Sequence, residues 1–473
     1  MYSPIKTYDA REVYGTNLTV GFAYKFGRAY GMFLDTLPNT DKTISRKDIV
    51  VGRDARWHSE PLFAALVNGI RDQGYNVIDI GHVSTCMTYY ANGAWKLGGS
   101  VMITASHNTA EWNGFKPCRE DAIPLTRNTN REKKAVPGEK FGLDEIEKFI
   151  NDPSNDFSKP APVPRGTLTA REVIPGYVAY IQSKANLPAK KQKLRVAIDY
   201  GNGMGVVEAK AFSDFFDITP LYDIIDGRFP NHEANPLHHE TLRNLQLKML
   251  GGNYDFGIAF DGDGDRVGFL DETGQIIPLD LITALIAKDI LSRKENKGAT
   301  ILHDLRSSWV VAETIKKCGG KASKCPVGHS LIKNQMRREN APFAGELSGH
   351  YYFADNFTAE SSALAVFAIA SIVEKSSAPL SKLVEPLRAA YHKTPELNHR
   401  VKDTGAVLKK IEKAYEKMPG AKRGALDGLT FEFGDWWFNI RCSNTEPLIR
   451  LNLEAKTRAR MEAERDELLK LIK

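Results

Sequence analysis

A serine flanked by small and polar residues opens the chemistry of this chain. The segment Thr104–Lys116, TASHNTAEWNGFK, follows an apolar run ending at Ile103. A hydroxyl at a strand-to-loop exit, with Ala105, His107 and Asn108 beside it, is suited to act as a nucleophile or to carry a phosphoryl group. The same residue types also build plain Ser/Asn turns. The nucleophile-elbow pattern G-x-S-x-G is absent. A second motif, DGDGDR at Asp261–Arg266, follows the apolar strand DFGIAF. Its carboxylates, Asp261, Asp263 and Asp265, alternate with glycine and can turn toward one point. Hard oxygen ligands of this kind suit Mg²⁺ or Ca²⁺. An EF-hand is the competing assignment, because Glu272 stands at the twelfth position from Asp261. Against it, Arg266 occupies the sixth position, where that loop needs glycine, and the preceding segment is strand-like. A simple acidic turn would leave the carboxylates to repel one another.

Two further loops carry polar groups in useful combinations. GELSGHYYF (Gly345–Phe353) offers Glu346, Ser348 and His350, a set able to bond sugar hydroxyls or to form a surface turn. RCSNTEPLIR (Arg441–Arg450) offers a guanidinium, hydroxyls, an amide and backbone N–H groups in sequence. That is good chemistry for a phosphate dianion, and a β-turn at Asn444–Thr445 is the alternative. GNGMG (Gly201–Gly205) fits neither G-x-G-x-x-G nor a Walker loop and receives no nucleotide role.

The elements that must position these loops alternate between strand-like and helical patterns. Ile49–Val51 ends in GRDAR and is followed by Leu62, Leu66 and Ile70 at helical spacing. Leu194–Asp199 leads through YGNGMG into a helix-like stretch, Val206–Phe216, and Phe256–Phe260 is a further strand. Thr300–Asp304 passes through LRSSW into a helix-like stretch ending at Lys317. The cadence predicts α/β units with parallel sheet, in three diverged copies. The tail differs: strands at Thr430–Phe433, Phe438–Arg441 and Leu448–Leu453 precede a helix over Thr457–Ile472, a smaller α+β unit. The predicted organisation is 1–160, 161–274, 275–385 and 386–473, with Pro-rich KPAPVPRG (Lys159–Gly166) as a linker. In open α/β sheets ligands bind beyond the carboxyl ends of strands, where the candidate loops fall.

Composition excludes several classes. The chain has 473 residues, 42% hydrophobic and 26% charged, enough apolar material for several packed domains. Lys plus Arg is 64 and Asp plus Glu is 58, a net charge of +6 with no basic stripe interleaved with aromatics, so no nucleic-acid partner is expected. The longest strongly apolar stretch, Ser362–Val373, is too short for a bilayer and is expected to be a buried helix. No secretory h-region stands at the N-terminus, and the 5 cysteines form no CxxC or zinc spacing. Reduced thiols in a cytoplasmic protein are expected, with no membrane partner.

Taken together, a Ser loop, a tri-Asp loop, a Glu/Ser/His loop and an Arg/Ser/Asn/Thr loop, in that order along the chain, resemble the α-D-phosphohexomutase superfamily, and most of all its phosphomannomutase/phosphoglucomutase branch. The resemblance runs from Tyr8–Arg11 to the C-terminal helix. It implies three similar mixed α/β domains and a smaller C-terminal α+β domain around a central cleft. It also implies interconversion of hexose 1-phosphate and hexose 6-phosphate, mannose or glucose, through a phosphoserine enzyme and a hexose 1,6-bisphosphate intermediate. By this similarity Ser106 is the phosphoserine, and Asp261, Asp263 and Asp265 bind Mg²⁺ with a phosphate oxygen on Ser106. Glu346 and Ser348, with His350 in the same loop, match the sugar-binding positions. Arg441, Ser443, Asn444 and Thr445 match the loop that grips the non-reacting phosphate. Lys116 and His329 (in PVGHS) match the proton-transfer candidates. Tyr8 and Arg11 match N-terminal cleft residues, Arg306 a cleft cation that is Lys in some relatives, and Arg266 the residue after the metal loop. His107 sits beside the phosphoserine.

Thr109 stands where the family's Ser loop has proline, and Arg306 is able to hold a phosphate or carboxylate bidentately where Lys is not. Phosphoglucosamine mutases carry GEQSGH and a Ser-Gly-Thr loop; Leu347 and Asn444 here favour glucose or mannose phosphates. Other readings are a metal-dependent phosphatase and a non-catalytic Ca²⁺- or sugar-binding protein.

Overall fold

The computed structural model describes residues 3–38, 41–128, 141–185, 193–376, 378–442 and 448–472. Its strands form four sheets. In the first, Ser45–Arg53 lies between Asn76–His82 and Leu97–Ile103, parallel to both, and Leu168–Ala170 extends the parallel run beside Asn76–His82. Trp112–Arg119 then pairs antiparallel with Leu97–Ile103, and Ala10–Val13 with Trp112–Arg119. In the second, Leu194–Asp199 is parallel to Phe216–Leu221 and Phe256–Phe260, and Val267–Asp271 returns antiparallel. In the third, Thr300–Asp304 is parallel to Lys321–Cys325 and Phe343–Gly345, and Tyr351–Phe353 returns antiparallel.

The sheets are therefore mixed rather than parallel, and the departure is the same each time. A parallel strand with every residue buried (Leu97–Ile103, Phe256–Phe260, Phe343–Gly345) ends in a short loop and doubles back. Each of those loops holds one of the polar motifs: 104–111, 261–266 and 346–350. The C-terminal sheet is antiparallel throughout, and Trp436–Cys442 pairs with Leu448–Ala455 across 443–447. Three hairpin loops thus present three of the motifs, and the fourth motif begins at the end of Trp436–Cys442.

The helix-like stretch after Met204 is shorter than its pattern suggests. It breaks into Gly205–Glu208 and a 3₁₀ turn at Ala209–Ala211, and Phe216 already begins a strand. Buried Phe212 and Phe216 are held by the core on either side. Ser362–Ser376 is a helix lying almost wholly inside the protein. No single helix among the described residues is long and apolar enough to cross a membrane.

One continuous apolar core joins the first three sheets. It runs through Met87 and Tyr90 beside the first, Phe212 and Phe260 of the second, and Phe343 and Phe367 of the third. The C-terminal unit keeps a separate core of Phe431, Trp436, Phe438, Leu451 and Leu468. It meets the third unit through polar contacts: Lys393–Asp280 at 2.6 Å, Glu454 accepting from the Trp309 N–H at 2.8 Å, and Asp427 accepting from the Val327 N–H at 3.2 Å.

Candidate active site

Ser106 is buried and has φ +54°, a left-handed backbone that serine rarely adopts. Its N–H is held by Thr104 Oγ1 at 2.8 Å. Its hydroxyl donates to Asp261 Oδ2 at 2.8 Å, with His107 Nδ1 at 3.2 Å. Burial, then the charges of Arg266 and Arg11, keep the His107 imidazole well below its usual pKa, hence neutral. Arg11 reaches the same loop, donating to Asn108 Oδ1 at 2.8 Å while paired to Asp9 at 2.5 Å.

Asp261, Asp263 and Asp265 are all buried, with ligand-capable oxygens within 4.8 Å of one another. Lys116 Nζ bridges Asp263 at 2.7 Å and Asp265 at 2.5 Å, and Thr85 Oγ1 donates to Asp263 at 2.6 Å. Asp263 Oδ1 is buried with no hydrogen-bond partner among the described residues. Burial and then the charges of Asp263 and Asp265 push the Asp261 carboxyl well above the ordinary range. A buried carboxylate oxygen without a partner, in a three-carboxylate donor set, fits a hard divalent cation such as Mg²⁺.

Two proton-transfer candidates differ in state. Burial favours a neutral Lys116, but Asp263 and Asp265 outweigh it, so its pKa is raised and the group is an ammonium. For His329, burial and the charges of Lys333 and Lys116 act together and hold the imidazole well below its usual range. His329 is therefore neutral near pH 7. Its Nδ1 faces Glu360 Oε1 at 3.5 Å, and Glu360 is paired on its other oxygen with buried Lys333 at 2.8 Å. The His329 loop is fixed from the first unit, since the Tyr8 hydroxyl donates to Val327 O at 3.0 Å and the Tyr8 ring meets the His329 ring edge-on at 6.0 Å. A side chain at Gly328 (φ +127°) would strike the Tyr8 ring at 2.6 Å, which is why that position is glycine.

The Glu346–His350 loop closes on the carboxylate cluster. His350 lies 3.2 Å from Asp265 Oδ1 and 3.0 Å from Glu346 Oε2. Burial opposes its charge, but the Asp265 charge and the two carboxylate bonds raise its pKa to about 9. Both ring nitrogens then donate to carboxylates, and Arg266 Nε, 3.3 Å from His350 Nε2, is a like-charged neighbour rather than a donor. Ser348 Oγ approaches His350 Nδ1 at 2.7 Å, and Glu346 accepts from Tyr352 Oη at 2.8 Å and from the Gly328 N–H at 3.2 Å. Arg306 is paired with Asp304 and lies 4.0 Å from Glu346 and 3.2 Å from Glu396.

Glu396 belongs to the C-terminal unit and gathers the cations there: Arg441 at 3.1 Å, Arg450 at 3.1 Å and Asn452 at 3.0 Å. Arg441 Nε and Arg450 Nε are buried without hydrogen-bond partners among the described residues. Ser443, Asn444 and Thr445 lie outside the described residues. Tyr8, Arg11, Ser106, His107, Lys116, the three aspartates, Arg266, Arg306, His329, Glu346, Ser348, His350 and Arg441 thus line one connected polar network. Thr85, Glu360 and Glu396 join it without any motif in the sequence to announce them, and Arg450 joins it as the last residue of RCSNTEPLIR. Their place in the fold brings them in: Thr85 opens the helix Thr85–Ala94, Glu360 ends a short strand, and Glu396 precedes the strand Leu397–Arg400.

With this geometry in place, the comparisons with known proteins agree along the whole chain. Family profiles for phosphoglucomutase/phosphomannomutase match as alpha/beta/alpha domain I over residues 4–136, domain II over 175–274, domain III over 278–391 and the C-terminal domain over 396–471. A phosphomannomutase of Vibrio cholerae is 36% identical, covering 99% of this chain and 98% of its own. One from Methanocaldococcus jannaschii is 35% identical, covering 99% and 97%. A solved phosphoglucomutase/phosphomannomutase family protein of Burkholderia thailandensis superposes with a TM-score of 0.85 at 30% identity, covering 100% of this chain and 97% of its own. The chain belongs to the phosphoglucomutase/phosphomannomutase family. It is an enzyme of the hexose-phosphate mutase class.

Proposed function

We propose that the enzyme interconverts hexose 1-phosphate and hexose 6-phosphate, with mannose and glucose as the candidate sugars, using Ser106 as the phosphoryl carrier. The observation that carries this reading is the Ser106 hydroxyl, buried and 2.8 Å from Asp261 inside the carboxylate cluster. A divalent cation held by Asp261, Asp263 and Asp265 would supply charge compensation to the phosphoryl oxygens.

In the first transfer the bond from phosphorus to Ser106 Oγ breaks and a bond to a sugar hydroxyl forms. The hydroxyl proton goes to neutral His329, and Ser106 Oγ takes a proton from the Lys116 ammonium. The resulting hexose 1,6-bisphosphate turns over in the cleft. Ser106 then returns its proton to Lys116 and attacks the other phosphorus, and His329 protonates the released hydroxyl. Positioning and electrostatics carry most of such a reaction. Glu346 and Ser348 face the sugar hydroxyls, and Arg441 with Arg450 holds the phosphate that is not reacting. Domain limits near 160, 274 and 385 separate the four loop-bearing units.

The direct test runs coupled assays on glucose 1-phosphate and mannose 1-phosphate side by side, with mass analysis of the Ser106 peptide. Turnover of either sugar with one phosphate on Ser106 is expected; net release of inorganic phosphate without isomerisation would mean a phosphatase. A neutral His329 also predicts kcat without an acid limb near ~6.5, the unperturbed imidazole value. Protonation of the base, and loss of rate, begins only further toward acid. An acid limb centred near that value in wild type, absent in His329→Asn, would place the base at its ordinary pKa and contradict the buried-neutral assignment.

A further inference from the structure

The Arg56 side chain is fully buried. A guanidinium out of water is costly unless every N–H is satisfied. Here each one is. Nε donates to Asp54 Oδ2 at 3.0 Å. Nη1 donates to the carbonyls of Thr109 at 2.6 Å and Trp112 at 3.0 Å. Nη2 donates to the carbonyls of Ser106 at 2.9 Å and Asn108 at 2.7 Å. Three of the five bonds therefore land on the backbone of the loop that carries Ser106, and a fourth on Trp112, the first residue of the strand that follows it. The Phe229 ring of the second unit covers the guanidinium at 4.9 Å, and Gly227 packs against the Ala55 and Arg56 backbone so closely that a side chain there would clash at 2.3 Å. Asp54 is itself fixed by the Ser59 hydroxyl at 2.8 Å and by the Arg56 N–H at 3.1 Å.

We propose that Arg56 is the positioning residue of the Ser106 loop: its planar fork holds three loop carbonyls and that of Trp112 at the start of the return strand, and keeps Ser106 in its left-handed backbone, aiming Oγ at the carboxylate cluster. The loop cannot hold that shape unaided. Serine disfavours φ +54°, and position 109 is threonine, which fixes no backbone angle. Arg56 touches no group proposed to react, so it acts through geometry and not through contact with substrate. Lysine would keep the charge but not the fork, because an ammonium presents its donors from a single point. Arg56→Lys therefore separates charge from positioning.

The inference rests on Ser106 being the phosphoryl carrier, and the test keeps the two apart. Wild-type enzyme is first analysed for phosphate on Ser106; its absence under turnover would remove the carrier assignment itself. In Arg56→Lys, kcat is expected to fall about 100-fold, the scale for misplacing a reacting group by about an ångström. KM for the hexose phosphate and Mn²⁺ affinity should stay within about threefold of wild type, because neither the aspartates nor the C-terminal arginines are altered. Amide hydrogen exchange over 106–112 should quicken. Asp54→Asn and Phe229→Ala, which leave Arg56 in place but loosen it, should show the same pattern at about a tenth of the size, and they decide the matter if Arg56→Lys does not fold. Wild-type kcat in folded Arg56→Lys would overturn the proposal, since charge alone would then suffice. Equal losses of kcat, substrate affinity and Mn²⁺ affinity would also overturn it, by making Arg56 a general structural residue.

Discussion

The two ends of the cleft are built from opposite charge and fixed in opposite ways. At the Ser106 end, Asp261, Asp263, Asp265 and Glu346 outnumber Lys116, Arg266 and His350, and Asp263 Oδ1 has no hydrogen-bond partner among the described residues. At the C-terminal end, Arg441 and Arg450 converge on one carboxylate, Glu396, with Arg306 sharing it, and two guanidinium Nε atoms have no hydrogen-bond partner among the described residues. One end has the donor set for a cation and the other the donor set for an anion. The first end is made by three units joined through one continuous apolar core, beside clusters of their own; the second belongs to a unit outside that core, joined by ion pairs and hydrogen bonds. A core holds position to a fraction of an ångström, while polar contacts can be exchanged at low cost. That division suits a reaction whose chemistry is fixed in place while its substrate turns round.

The largest effects should come from the fixed end. Ser106→Ala is expected to lower turnover by about 10⁴-fold or more, since a nucleophile removed takes the whole covalent route with it. Phosphate-sugar binding measured by calorimetry should be nearly unchanged, because the arginine end is intact. Near-normal turnover in this variant would collapse the distinction between the two ends. Next, chelation with EDTA should abolish turnover and added Mg²⁺ restore it. Asp263→Asn should weaken metal affinity by at least the 10–100-fold typical of losing an outer-shell partner. Full activity in chelator with no metal by elemental analysis would contradict the fit of that carboxylate set.

The arginine end should show a different signature. A charge-assisted contact to phosphate contributes about 1.5–3 kcal/mol, or roughly 10–100-fold in affinity. Arg441→Ala is expected to raise KM for the 1-phosphate and the 6-phosphate alike by that factor, to release more bisphosphate per turnover, and to leave Ser106 phosphorylation intact. An effect on one substrate alone would show that the two orientations do not share a holder.

The four motif loops and the α/β cadence were legible because they are local: consecutive polar residues after an apolar strand, repeated along the chain. What the pattern could not carry is long-range. The antiparallel return strands Val267–Asp271 and Tyr351–Phe353 are as buried as the parallel strands beside them, so alternation gives no direction, and Trp112–Arg119 carries Asn113, Pro117 and Lys116 within the strand, which hides it among loop residues. Arg56 stands in GRDAR, visible as a polar loop, but its acceptors lie some fifty residues on and are backbone carbonyls, which have no signature in side chains. Glu396 and Glu360 sit in segments with no motif at all. The protonation states of Lys116 and His329 follow from neighbours on three different units, so the sequence left the choice between them open.

The smallest effect tests the arginine end from within. Glu396 accepts from Arg306, Arg441, Arg450 and Asn452, occupying donors that an incoming phosphate also needs. Burial opposes its charge, but Arg306 and Arg441 outweigh that and hold its pKa well below the usual range, so it stays ionised wherever the enzyme works. Two consequences of Glu396→Gln oppose one another. Removing a negative charge beside the phosphate site strengthens the attraction of the arginines for an anion. Removing their common acceptor also frees the arginine side chains, which must then be reordered on binding. Arg306 remains paired with Asp304, and the glutamine carbonyl still accepts one bond, so most of the arrangement survives. A dianion a few ångströms from a partly solvated carboxylate is repelled by more than that residual disorder costs. The net expectation is a gain of about 1 kcal/mol, roughly fivefold tighter binding of inorganic phosphate and of both hexose phosphates by calorimetry. The same variant should leave the Ser106 end, its Mn²⁺ affinity and its phosphorylation rate untouched. Weaker phosphate binding in Glu396→Gln would reverse the assignment and make the carboxylate the organiser of the arginines instead of the phosphate's competitor.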